Sequence, residues 1–398
     1  MRHEERVRPN LQLRVLLCVL VTACSGRVER RGSIPDGGPS SEASAPTSAL
    51  DGRAPSPPAA RPGSTSPTEV PPVVPASERC GASPKILVST TVLPRPSGAG
   101  NVGLGWLVAG PSNLYFSTYA TSGTPAEIYI GGSTMRVPFE GGSPEPLVSG
   151  YLFMRPLLTP PNLILAAGAV PSNNGDVILS VPLAGGSVTT IATLDDAIVN
   201  GFATDGTYIY FSDSRGVNAI PMAPDSSRPN IISLVPGLPD IIGAFGGELL
   251  IAYAQGAVES VPLPPRANSP VTSRGSCPPG PTDLMRCGAN ACWLAGTNTL
   301  EELGPSDSAP RAITLTGRAS DAFDVAFDST DAYVIGTDVE SAGDFLERVP
   351  LDGSPPVLLA STPSSSSRAV AVDDACVYWS SSQGILSLAK TSDGFFAQ

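Results

Sequence analysis

The residues of this chain best equipped for chemistry are its seven cysteines, its 36 Asp and Glu side chains and a single histidine. That histidine is His3, inside an N-terminal stretch that reads as a cleaved leader, so the mature chain is expected to hold none. Ser-His-Asp and Cys-His catalysis, zinc sites built on imidazole and the usual neutral-pH general base are then excluded. Lys85 and Lys390 are the only lysines and read as exposed strand or turn positions rather than half of a Ser-Lys dyad. Carboxylates crowd at Asp195, Asp196, Asp321, Asp324, Asp328, Asp331, Asp338, Glu340, Asp344, Asp373 and Asp374, without the alternating spacing and distal Glu of a calcium loop. Asp205, Asp328 and Asp373 each stand just ahead of an apolar run, a place where an Asp side chain bonds nearby backbone N–H groups and fixes a turn. The "GAGNVG" at 98–103 satisfies G-x-G-x-x-G but precedes a strand-like "LGWLVAG" instead of a helix, and so reads as a turn. No catalytic residue, metal ligand set or cofactor is assigned.

The elements that must position these side chains come from a repeat. "MRVPF", "LSVPL", "NAIPM", "ESVPL" and "ERVPL" place Pro138, Pro182, Pro221, Pro262 and Pro350 at gaps of 44, 39, 41 and 88 residues, and a degenerate "LSLAK" puts Ala389 39 further on. The gap of 88 is two periods, with a weak copy near "TLEELG" between, which makes seven. Ahead of each copy lies a second apolar run, such as "NLYFS", "YIYFS" or "CVYWS", and ahead of several a third, such as "FDVAFD" or "AVAVDD". The runs are short, rich in β-branched and aromatic residues, and separated by Gly, Pro, Asn and Asp, so they are strands joined by turns. Four strands per unit in about seven units describe an all-β propeller of four-stranded antiparallel blades, seven favoured over six or eight. Tyr115, Tyr210 and Trp379, at strand centres, read as packing between blades. The last unit lacks the closing element that "GSPEPLVSG" and "GSPPVLLAST" supply elsewhere, while "ASPKILVST" at 82–90 stands alone at the front. A strand from the N-terminal end therefore closes the last blade and removes an exposed edge.

"VYWSSSQGILSLAK", "IYFSDSRGVNAIPM" and "LDGSPPVLLAS" resemble the Tyr-Trp-Thr-Asp and NHL-type propeller repeats, over about 82–398, and the whole is similar to propeller-bearing lipoproteins of high-GC bacteria. The N-terminus agrees with that likeness. Arg2, Arg6, Arg8 and Arg14 precede an apolar run at 15–22 too short to span a bilayer, and Val21-Thr22-Ala23-Cys24 resembles a lipobox. An ordinary signal peptide cut elsewhere, or a buried apolar N-terminus, is the alternative. The domains are then a leader at 1–23, a disordered Pro/Ser/Gly-rich linker at 24–79 and the propeller at 80–398. A lipid on Cys24 would tether the chain in the bacterial cell envelope, as an outer-membrane lipoprotein facing the periplasm or the surface.

The leader's four Arg and two Glu carry +2 and the linker carries zero, so of the net −12 the folded part carries −14. Nucleic-acid binders need a basic stripe, so that class is excluded. An acidic surface keeps a domain soluble and, as read here, monomeric, a cation-binding face being the sharper alternative. In an oxidising compartment cysteines pair. Tracing the strands puts Cys287 and Cys292 at facing ends of a hairpin, and Cys376 on the same side of the disc as Cys80, which must fold back to reach it, leaving Cys277 as the free thiol. Two function classes remain: a tethered binding or scaffold module with a protein or glycan ligand, or a carboxylate- or metal-dependent lyase or hydrolase, both on the face of the second-to-third-strand loops. Tyr119, Glu127, Asp213, Arg215, Asp338 and Glu340 are the candidate ligand residues, and binding is favoured.

Overall fold

The computed structural model describes residues 76–122, 129–153, 156–169, 176–194, 197–222, 231–237, 239, 241–253, 256–266, 269–276, 284–288, 291–296, 299–304, 311–315, 319–338, 343–362, 369–390 and 396–397. Residues 1–75, which hold Cys24 and the stretches read as leader and most of the linker, lie outside them, as do Cys277, Glu127 and Glu340. Seven antiparallel sheets follow one another along the chain as the blades of a β-propeller. Blade 3 shows the plan: Gly201–Thr204, Tyr208–Asp213, Gly216–Pro221 and Ile232–Pro236 pair in that order from the axis outward. Third strands of other blades end at Pro138, Pro182, Pro262, Leu303, Pro350 and Ala389, so the repeated Val-Pro marks one structural position. Proline suits it because the strand is ending there, and in two blades the Pro138 and Pro182 carbonyls accept from Gly141 and Gly185, whose φ of +89° and +82° only glycine adopts freely.

Two departures from the plan are local. The first strand of blade 2 is split into Tyr151–Phe153 and Leu157–Thr159, both paired with Asn162–Ala169. Blade 6 gains a fifth, parallel strand, Phe396–Ala397, on its outer strand Val357–Thr362.

Small side chains repeat with the blades. The hydroxyls of Ser117, Ser212 and Ser380, on second strands, accept from the N–H groups of Trp106, Gly201 and Ala369, in or just ahead of first strands, at 2.9, 2.7 and 3.1 Å. In blades 3 and 7 an Asp fixes the preceding turn. Asp205 Oδ1 accepts from the N–H groups of Thr207 and Tyr208, and Asp373 Oδ1 from those of Ala375 and Cys376, while the other oxygen accepts from Tyr210 or Tyr378. Asp328 makes the same turn with Thr330 and Asp331, and Lys390 pairs with its second oxygen.

The core consists of layers between neighbouring blades, not one central mass. Tyr115 packs with Leu163 and Leu165 of blade 2, Tyr210 with Leu249 and Ile251 of blade 4, and Trp379 with Tyr333 and Ile335 of blade 6. Both faces of a middle strand are therefore covered, which is why Ile209, Tyr210 and Phe211 are all buried in succession instead of alternating with polar residues.

Lys85–Ser89 pairs antiparallel with Gly384–Ala389 as the outer strand of blade 7. Just before it, the short helix Ala76–Cys80 begins inside the stretch read as linker, and Arg79 bonds Asp373 at 2.7 Å. Cys80 is bonded to Cys376, with Cα atoms 5.9 Å apart, and Cys287 to Cys292, its direct partner across the blade 5 hairpin.

The buried tyrosines give the fold an alkaline limit. Burial, then the neighbouring carboxylate, pushes Tyr253 up to about 12, and raises Tyr210 and Tyr378 further. A folded-state value above the unfolded 10.0 contributes stability that is fully present below pH 10 and is lost as pH climbs through the folded value. The expected result is a structure intact at pH 9 that unfolds between about pH 10 and 12, tyrosine ionisation at 295 nm and loss of strand circular dichroism moving together. Full ionisation near pH 10 with the fold retained would contradict it.

Candidate functional site

Alternation of four antiparallel strands puts the second-to-third-strand loops and the interblade loops on one face of the disc, and the other turns on the opposite face. Of the sequence-read ligand residues, Tyr119, Asp213, Arg215 and Asp338 are among the described residues and fall on or near the first face, but unequally. Asp338 ends the second strand of blade 6 at this face, and Tyr119 lies within the second strand of blade 1, Asn113–Thr121. Tyr119 crosses Gly103 of the first strand, its ring where a Cβ at Gly103 would stand, so it covers that strand.

Asp213 and Arg215 share the tight hairpin of blade 3. Asp213 is 0% exposed, and its Oδ1 accepts from the backbone N–H groups of Arg215 and Gly216 at 2.7 and 3.2 Å. Its other oxygen accepts from the Arg215 guanidinium at 2.8 Å. The Asp213 side chain is thus engaged in closing its own turn and holding Arg215, which is 62% exposed and is the half of the pair presented to solvent.

The same face carries a residue that sequence reasoning missed. Ile198, in the loop between blades 2 and 3, is 70% exposed. Asp176, at the start of the third strand of blade 2, fixes that loop: its N–H donates to the Ala197 carbonyl, and its Oδ2 accepts from Val199 N–H at 2.7 Å. Burial pushes the Asp176 carboxyl above the usual range, and the Val199 bond pulls it back in part. On the other flank Asn200 N–H donates to the Ser212 carbonyl, joining the loop to the strand that carries Asp213. An exposed isoleucine and an arginine, each on a loop pinned by a buried Asp and linked through the Asn200 to Ser212 bond, give this corner of the face a mixed apolar and cationic character. The signal in the sequence was an apolar "AIV" inside a polar interblade stretch.

A concavity lies on the axis. A cavity of about 400 Å³ is lined by first-strand residues of all seven blades, including Leu107, Leu158, Phe202, Ile242, Met285 and Phe327. These residues stand toward the far ends of their strands, so the cavity sits toward the face opposite Ile198 and Arg215. Arg286 also lines it, bonds Asp324 Oδ1 through Nε and Nη2 at 3.2 and 2.9 Å, and lies 5.6 Å from the Trp106 ring centre. Among the described residues no group of three or more His, Cys, Asp or Glu gathers as a metal site.

No family model and no curated protein matches the chain. Solved structures do match in fold. The WD40 repeats of RRP9 align with a TM-score of 0.53 at 12% identity, covering 78% of this chain and 98% of that one. U3-55K aligns at 0.51 and 12% identity, over 78% of this chain and 99% of that one. A chain of a mitotic checkpoint complex aligns at 0.50 and 8%, over 75% and 98%. At such identities the likeness is one of architecture.

Proposed function

We propose that this protein is a binding module, tethered in a bacterial envelope by a lipid on Cys24, that holds a protein partner on the loop face at the corner between blades 2 and 3. The observation that carries the reading is that corner: Ile198 and Arg215 stand exposed on loops fixed by Asp176 and Asp213. An apolar anchor beside an arginine on a preorganised surface is the composition of an interface hot spot. The fold supports it too, since the mitotic checkpoint chain is a propeller within a protein assembly.

One experiment addresses both halves. The full chain carrying a photo-crosslinking amino acid at position 198 is expressed alone, with Arg215→Glu, and with Cys24→Ser. Partner adducts are expected from position 198, several-fold fewer with Arg215→Glu, and Cys24→Ser is expected to move the protein from the membrane to the soluble fraction. Equal adduct yield from a crosslinker at Val271, on the opposite face, would remove the corner from the proposal. Unchanged fractionation of Cys24→Ser would remove the tether.

A further inference from the structure

The axial cavity is not needed by the loop-face reading and lies toward the other side of the disc. Its properties specify a ligand of their own, and we propose that it binds a small uncharged molecule with an apolar body and one hydrogen-bond acceptor, anchored on Arg286.

Three features lead there. The volume of about 400 Å³ lies within the range of small-molecule sites, and the lining, drawn from seven separate strands, mixes apolar side chains with a comparable share of polar surface. Those strands are held by their blades, so the space is formed before any ligand arrives and binding costs little ordering. Each first strand pairs with the second strand of its own blade, which leaves its other edge, with alternate N–H and C=O groups, directed at the axis.

The third feature is the polar handle. A guanidinium has five N–H donors. Arg286 uses three, two on Asp324 Oδ1 and one on the Met285 carbonyl, and the other two have no acceptor among the described residues. Asp324 offers nothing in return: it is 0% exposed, and its oxygens also accept from the N–H groups of Val325 and Val370. The site thus presents donors without net charge, because the Arg286 cation is matched by Asp324. A cationic ligand finds no available carboxylate. An anion gives up its hydration for a cation already paired, inside a domain whose formal charge is −14 once the leader's +2 is taken from −12. A neutral carbonyl compound gives up least and gains a charge-assisted bond while its apolar body meets the apolar part of the lining.

Three near-isosteric probes separate these cases: acetophenone has the acceptor, ethylbenzene lacks it, and benzoate carries a charge. Ligand-observed NMR titrations of the full chain are expected to show saturable acetophenone binding, with Kd on the order of 1 mM or below for so small a molecule. Ethylbenzene and benzoate should bind at least about fivefold more weakly, since a bond to a charged donor is worth more than that factor. Arg286→Met should remove the preference for acetophenone. Ala244→Phe, which fills the cavity and leaves Arg286 and Asp324 in place, should abolish binding of all three, and it decides the matter if Arg286→Met does not fold. Arg215→Glu should leave acetophenone binding unchanged, which keeps this test separate from the loop-face one. Absence of saturable binding by any probe, tightest binding by benzoate, or undiminished binding to Ala244→Phe would each overturn the proposal.

Discussion

Asp324→Ala is expected to lower the free energy of unfolding by about 4 kcal/mol, the size seen when one partner of a buried ion pair is removed. Asp324 belongs to the first strand of blade 6, Ala319–Phe327, yet it binds Arg286 of blade 5 and accepts from Val370 N–H of blade 7 at 3.0 Å. One side chain therefore ties three consecutive blades at the axis. Alanine leaves a guanidinium that is only 18% exposed without its counter-charge, and a backbone N–H without an acceptor. Asp324→Asn keeps a carbonyl for Val370 but not the charge, so it should fall between, at about 2 kcal/mol. Urea titration followed by tryptophan fluorescence separates the three proteins. A loss under about 1 kcal/mol for Asp324→Ala would mean that interblade packing alone holds the axis.

This residue also shows where the sequence stopped being informative. Repeats carried the architecture well, because a strand position that recurs every 39 to 44 residues imposes the same chemistry each time. Val-Pro at a third-strand end and Asp ahead of a second strand are local arrangements, visible in single copies and reinforced by the rest. Closure by the isolated "ASPKILVST" was legible for the same reason: it is the fourth strand of a repeat whose other three strands stand at the far end. Arg286 and Asp324 have no such signature. They lie 38 residues apart, and only the convergence of seven first strands on one axis brings them together. In the sequence Asp324 was one carboxylate in a crowd.

Within the ligand face the structure separates residues that the sequence reading grouped together. Asp213, a candidate ligand-face residue, is buried because "DSRG" carries an Asp two and three residues ahead of N–H groups it can accept from. That is the turn chemistry recognised at Asp205 and Asp373, where the carboxylate is consumed locally. Applied evenly, the same rule would have moved the weight to Arg215. Ile198 was harder to see, since an exposed isoleucine differs from a buried one only in what the neighbouring blade covers.

Loss of the Cys80 to Cys376 bond is expected to be the other large effect. The bond closes a loop of 296 residues, nearly the entire propeller, whereas Cys287 and Cys292 are 5 apart. In the chain-entropy model the long loop contributes roughly 5 kcal/mol and the short one roughly 2. The long bond also secures contacts that a linear chain would have to find unaided. It holds Arg79 against Asp373 and 5.1 Å from the Phe139 ring centre, and Phe139 stacks on Tyr378 at 5.5 Å, so blade 1, blade 7 and the N-terminal helix meet at one point. The strand Lys85–Ser89 follows directly and covers the edge of Gly384–Ala389, which would otherwise be an unpaired edge open to other chains. A Cys80→Ala/Cys376→Ala double variant should melt roughly 10 °C lower than the parent and aggregate on melting, while Cys287→Ala/Cys292→Ala should lose no more than about 4 °C. Scanning calorimetry of the two variants decides it. If the short-loop variant proves the less stable, or if neither melts more than about 2 °C below the parent, then pairing of the closing strand alone holds the ring together and the covalent bond adds little to it.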